Sequence, residues 1–115
     1  MSVTEDELKE RALAPRVTFK DVEDAILAEY YFTARDGIIG SGARSIVNGS
    51  RINLGTLTFA VLVLKNGYTV TGQSACADPT NYKQDIGERI ARSDAVNKIW
   101  PLLGYELKTK LTEGN

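Results

Sequence analysis

The dipeptide Asn66-Gly67 stands between two runs of strand-forming residues from Thr56 to Ser74, and a chain punctuated in this way is committed to an antiparallel hairpin. A two-residue type I′ turn needs φ > 0 at both central positions, which Asn and Gly supply at little cost. Such a loop pairs Lys65 with Tyr68. Val61 and Val63 then share one face with Val70 and Gly72, while Leu62 and Leu64 share the other with Thr69 and Thr71. One face is read as core. The second carries two leucines that a solvated face does not normally choose, so it is expected to be covered by a helix of the chain or by another subunit. With a chain too small to cover both faces generously, this leads to an expected homo-oligomer.

The 115 residues suffice for one core. The expected organisation is an N-terminal helical extension over 1–16, a single α+β domain over 17–111 and a frayed tail over 112–115. Hydrophobic residues make up 43% and charged residues 25%, too apolar for disorder and without the long apolar run of a membrane span. Met1 to Leu13 is rich in Glu and Lys and does not read as a secretory leader, so a cytoplasmic location is expected. With 14 basic against 15 acidic residues there is no positive field for duplex nucleic acid. Histidine is absent and Cys76 is the single cysteine, which removes an intramolecular disulfide, the usual zinc sites and His-based triads. Cys76 is read as a buried small hydrophobe. No metal and no cofactor are expected.

Along the chain, Thr4 to Ala14 has the acidic start and basic finish of a short helix, stopped by Pro15. Thr18 and Asp21 have capping-box spacing, and Val22, Ala25, Ile26 and Glu29 predict a helix ending near Glu29, followed by a short strand from Tyr30 to Ala34. Arg35 to Asn53, with Gly37, Gly40, Gly42 and Gly49, reads as a long mobile loop. It lacks the Lys-Ser/Thr ending of a P-loop and the spacing of a dinucleotide site. After the turn residues Ala77 to Asn81, a long helix is expected from near Tyr82, with Ile86, Ile90, Ala95 and Ile99 as its apolar stripe. Pro101 is expected to end or kink it, Trp100 to fill the junction, and a second helix to run from Pro101 or Leu102 towards Leu111. The fold class is therefore α+β: N-terminal helices, a small antiparallel sheet centred on a hairpin, and two C-terminal helices.

The strings Leu64 to Gly72, Ile86 to Arg92, Ala95 to Leu102 and Gly104-Tyr105 resemble a small phage protein family named after gene product forty-nine and gene sixty-six of two podophages. The likeness runs from about Val17 to Leu111. The same order of elements is similar to the first class of Thoeris anti-defence proteins. That second resemblance implies a homo-oligomer that sequesters a cyclic ADP-ribose signal, or a cyclic oligonucleotide, near a subunit interface without cleaving it.

A sponge of this kind needs an aromatic plate, cations for phosphate and an amide for the base edge or ribose. Tyr82, at the expected helix start, either stacks on a base or packs as a core residue. Arg89 and Arg92 contact phosphate, or alternate with Glu88 and Asp94 as a solvated face; Arg89 is expected to share a helical face with Tyr82, and Arg92 to act across an interface. Asn97 pairs with backbone or reads the ligand. Lys108 binds phosphate, or complements the helix dipole. Asp21, Glu23 and Asp24 look like a first-turn dipole feature, so no acid and base pair emerges and the chain is not expected to be an enzyme. The remaining alternative is an accessory protein that binds a host protein.

Overall fold

The computed structural model describes residues 3–11, 14–42 and 52–114. Thr4 caps α1 (Glu5–Arg11), accepting the Glu7 N–H at 3.1 Å. Residues 12 and 13, part of the longer helix expected there, lie outside the described residues. Thr18 and Asp21 form the reciprocal capping box that opens α2 (Phe19–Asp24), with bonds of 3.0 and 2.9 Å.

Contrary to expectation, α2 ends at Asp24, and the chain enters β1 (Ile26–Thr33) at once. Val22 does become a buried anchor. Beyond it the pairing energy of a full strand wins over helical spacing, because Ala28 to Thr33 find partners from Val63 back to Thr58 and the Ala25 carbonyl accepts the Lys65 N–H at 2.9 Å. Strands β2 (Leu57–Leu64) and β3 (Thr69–Ala75) complete an antiparallel sheet in the order β1-β2-β3. The class is α+β.

The hairpin exists, but its turn has three residues, Lys65-Asn66-Gly67, closed by Leu64 N–H to Tyr68 O and Gly67 N–H to Leu64 O, both 2.8 Å. Only Gly67 has positive φ, at 89°, and no non-glycine residue among those described does, so the turn is not type I′. This shifts the register by one residue: Leu62 faces Val70 and Ala60 faces Gly72. A one-residue shift exchanges the faces. Ala60, Leu62, Leu64 and Val70 form the core, and Val61 and Val63 turn outward with Thr69 and Thr71.

Helix α4 (Gln84–Val96) covers the inner face through its smallest residues, Gly87, Ala91 and Ala95. The approach is close. A Cβ built on Gly72 would lie 2.1 Å from the Ala91 carbonyl oxygen and 2.4 Å from the Ala95 nitrogen. Ile86 and Ile90, expected on the buried stripe, are 42% and 52% exposed because isoleucine on that face would hold the helix off the sheet. The helix breaks at Asn97 and Lys98, and α5 (Ile99–Glu113) starts before Pro101. The proline sits in the first turn, where its missing N–H has no partner to lose. Trp100 packs edge-on against Phe19 at 5.0 Å, tying α5 to α2. Thr112 and Glu113, expected to fray, remain helical.

The expected long loop begins instead with α3 (Ala34–Ser41), capped by Thr33 and Asp36 through two 3.1 Å bonds and ended by Gly42 at φ 70°. Residues 43–51 of that loop lie outside the described residues, and its last two, Ile52 and Asn53, instead open a 3₁₀ turn over Ile52–Thr56. Helix α3 approaches the outer face at Phe32, whose ring lies near Gly37. The remainder of that face is Ala28 and Tyr30 from β1, Phe59, Val61 and Val63 from β2, and Thr69, Thr71 and Gln73 from β3, all partly or well exposed.

Candidate functional site

The cleft with the most varied chemistry lies where β1 passes into α3 and the chain enters α4. Its volume is about 260 Å³, and Thr33, Arg35, Thr58, Tyr82, Gln84 and Glu88 are among its walls. Local structure explains the placement of Tyr82. Asp78 accepts the Thr80 N–H at 3.0 Å and its hydroxyl at 2.9 Å, which holds the Asp78 carboxyl below the ordinary range and fixes a 3₁₀ turn over Pro79–Asn81. The chain leaves that turn extended at Tyr82, two residues before α4 begins. Tyr82 thus lies beside Gly87 and its hydroxyl hydrogen-bonds Thr58 Oγ1 at 3.1 Å.

Arg35, in the first turn of α3, has no ion-pair partner among the described residues. The neighbouring Asp36 is engaged by the Thr33 N–H and hydroxyl, which lower its pKa. Gln84 donates to Glu88 at 3.2 Å, so an amide and a carboxylate stand together on the opposite wall. The cleft therefore offers an aromatic ring, a guanidinium that has no ion-pair contact among the described residues although its charge acts on Asp36, an amide and carboxylate acceptors.

Of the residues expected from sequence, Tyr82 alone lines this cleft. Arg89 does not share a face with it, because Tyr82 precedes the helix; Arg89 is 75% exposed and lies 3.9 Å from Asp85. Arg92 is held inside the protomer by Glu23 at 2.7 Å and Glu29 at 2.9 Å, and these bonds raise its pKa. Glu29 also accepts the Tyr31 hydroxyl, and its own pKa is lowered first by Arg92 and then by Tyr31. Burial, followed by the bond to Glu29, pushes the Tyr31 phenol up to about 12. Asn97 is exposed at the end of α4 with its N–H donated to Ser93 O, and Lys108 is exposed on α5. Cys76, expected to be buried, is half-buried, its thiol directed at Asp78 O.

Sequence reading missed Arg35 and Gln84. The signal for Arg35 was present, since Thr33 and Asp36 have the same capping-box spacing as Thr18 and Asp21. A larger groove of about 370 Å³ runs between α2 and α5, but its cations Arg16 and Lys110 already face Glu5 and Glu106.

Among the described residues no group of three His, Cys, Asp or Glu side chains is placed to hold a metal ion, and no helix is long and apolar enough to cross a membrane. Fold and cleft together define a small α+β domain with a polar, aromatic-walled recess beside the sheet. The chain belongs to the phage protein (N4 Gp49/phage Sf6 gene 66) family, which residues 17–111 match. No curated protein and no solved structure matches the chain.

Proposed function

We propose that this phage protein binds and sequesters a cyclic nucleotide immune signal of the cyclic ADP-ribose type, without cleaving it, in the cytoplasm of the infected or lysogenic cell. The observation that carries the reading is that Tyr82 and Arg35 line one cleft, which offers a ring to a base and, to a phosphate, a guanidinium with no ion-pair contact among the described residues. The hydroxyls beside them are already used, Thr33 in a helix cap and Thr58 on Tyr82, and neither is paired with a general base. Retention of the ligand intact fits such walls better than turnover does.

At about 260 Å³ the cleft falls below the roughly 300–1,000 Å³ of pockets that enclose a small ligand. One protomer then holds part of the ligand and a second copy closes over the rest. Arg89, Asn97 and Lys108, exposed and outside their own cleft, are available for that closure.

Calorimetric titration with cyclic ADP-ribose isomers tests the reading. Tight binding to the parent, recovery of unaltered nucleotide after heat denaturation, and a tenfold or greater loss in Tyr82→Ala and Arg35→Ala are expected, with circular dichroism confirming the fold of each variant. If no cyclic nucleotide binds the parent, the sponge reading fails and an accessory protein that binds a host protein takes its place.

A further inference from the structure

Among the described residues the most deeply buried polar side chain is Thr58, 1% exposed on β2. Its hydroxyl reaches 24 positions along the chain to the Tyr82 hydroxyl, at 3.1 Å, on the wall of the cleft. The other end of that tyrosine is held too, since its N–H donates to Pro79 O at 3.2 Å as the chain leaves the 3₁₀ turn. A half-buried aromatic on an extended stretch would otherwise exchange among its rotamers. Here one bond fixes the backbone and a second fixes the tip of the ring.

Gly87 makes room for the second bond. Glycine inside a helix is destabilising relative to alanine, and Gly87, inside α4, does not have the positive φ that would call for it. The reason lies beside the helix. A Cβ at position 87 would stand 2.9 Å from Thr58 Oγ1 and 3.3 Å from Tyr82 Cε1. The first approach is closer than packed atoms accept, so a side chain there turns the Thr58 hydroxyl away and moves the ring from its seat. Strand β2, the entry to α4 and α4 itself thus close on one ring.

From this arrangement we infer that Thr58 and Gly87 are positioning residues of the cleft: the threonine pins the Tyr82 hydroxyl, and the missing side chain at 87 leaves the ring its seat. The ring then stands in place before a ligand arrives, and binding does not have to order it. Its hydroxyl faces a buried partner, so the ligand meets the face of the ring and not its polar tip. That a nucleotide base is what the ring meets rests on the sequestration proposed for this protein. The anchoring of the ring does not.

The test has one arm with ligand and one without. In calorimetric titration with a cyclic ADP-ribose isomer that binds the parent, Thr58→Val and Tyr82→Phe are each expected to weaken binding roughly threefold to tenfold, the scale of one hydrogen bond. The double variant is expected to bind no worse than the weaker single, because both changes break the same bond. Thr58→Ser keeps the hydroxyl and restores affinity. Gly87→Ala is expected to lower both stability and affinity; adding Thr58→Ala, which removes the obstructing oxygen, returns the melting temperature to that of Thr58→Ala alone while affinity stays low. Additive losses in Thr58→Val and Tyr82→Phe put the hydroxyl on the ligand and overturn the inference. So does parent affinity in both folded singles, or affinity that returns with stability in the double alanine variant. Without ligand, a nuclear Overhauser contact between the Tyr82 ring and Gly87 Hα is expected in the parent and lost in Thr58→Val; its persistence in the folded variant overturns the inference. If no cyclic nucleotide binds the parent, sequestration fails, and the ring contact still decides the anchor. Should Thr58→Val fail to fold, Tyr82→Phe removes the same bond and is read in the same way.

Discussion

The two faces of this sheet are made from the same three strands and behave as opposites. On the inner face Ala60, Leu62 and Val70 lie under α4, and Gly72 meets the helix backbone itself, so contact there is governed by volume. On the outer face larger residues, Tyr30, Phe32 and Phe59, remain partly open and are constrained mainly by their strand neighbours. Size of side chain alone does not select the inside. The closest packing is made by the smallest residues, and the bulkiest are left for the surface.

The largest effect expected is at the point of closest approach. Gly72→Val adds a branched side chain where even a Cβ would stand 2.1 Å from the Ala91 carbonyl, so α4 must lift from the sheet. Overpacking commonly costs about 1–3 kcal/mol, and a backbone neighbour that cannot yield places this variant at or above the upper end. Thermal or urea unfolding should show little folded protein. A stable Gly72→Val would mean that α4 does not rest on β3 as described.

Next comes the turn that decides which face is inside. Gly67→Ala forces a side chain into φ 89° and should cost about 1–2 kcal/mol. Asn66→Ala removes only the bond from the Tyr68 N–H to Asn66 Oδ1, 2.9 Å, worth about 0.5–1.5 kcal/mol. The gap between the two variants, read from denaturant midpoints, distinguishes this turn from type I′, in which both positions would be similarly sensitive.

Much of the architecture was legible in the sequence, and the errors have a common origin. The hairpin, the Thr18 cap and the two C-terminal helices follow from local chemistry that only a few neighbouring residues determine. The end of α2 and the start of β1 do not, because the pairing of Ala28 with Val63 is invisible from either segment alone. The turn length was a one-residue ambiguity, yet period two made it reverse the faces. For the cleft, Tyr82 was found as an aromatic at an expected helix start, although the helix begins two residues later, whereas Arg35 was hidden by reading glycines as a loop despite the cap at Thr33. Arg92 shows the converse limit. A cation that looks available in sequence is committed to Glu23 and Glu29, residues more than sixty positions away.

That commitment predicts a pH signature on the inner side of the comparison. Arg92→Leu should cost about 1–2 kcal/mol near neutrality, a modest figure because the two carboxylates are partly open to solvent. The folded-state pKa of Glu29 is depressed below its ordinary value of 4.5, so its contribution is complete above that value and is lost as pH falls through the lower folded one. Parent and Arg92→Leu should therefore converge in stability in acid. The phenol of Tyr31 has the opposite sign. Its pKa is raised from 10.0 to about 12, so its contribution is present below pH 10 and disappears as pH climbs towards 12. Ultraviolet titration of phenolate should show a late step as pH approaches 12, and Tyr31→Phe should remove it.

The smallest expected effect falls on the outer face, and it compares one chemical change at two depths. Thr71→Val replaces an exposed hydroxyl on β3 and leaves no partner stranded, so unfolding measured at low protein concentration should move by no more than about 0.5 kcal/mol. Thr58→Val makes the same replacement at 1% exposure, where the hydroxyl is bonded to Tyr82 Oη. There the tyrosine loses its partner and the cost should reach about 1–3 kcal/mol. Low concentration matters, because any binding to the folded state stabilises it by mass action and would mask a change in the protomer. Equal losses at positions 58 and 71 in dilute solution would show that the two faces are alike in depth, and the contrast between a packed inner face and an open outer one would fall.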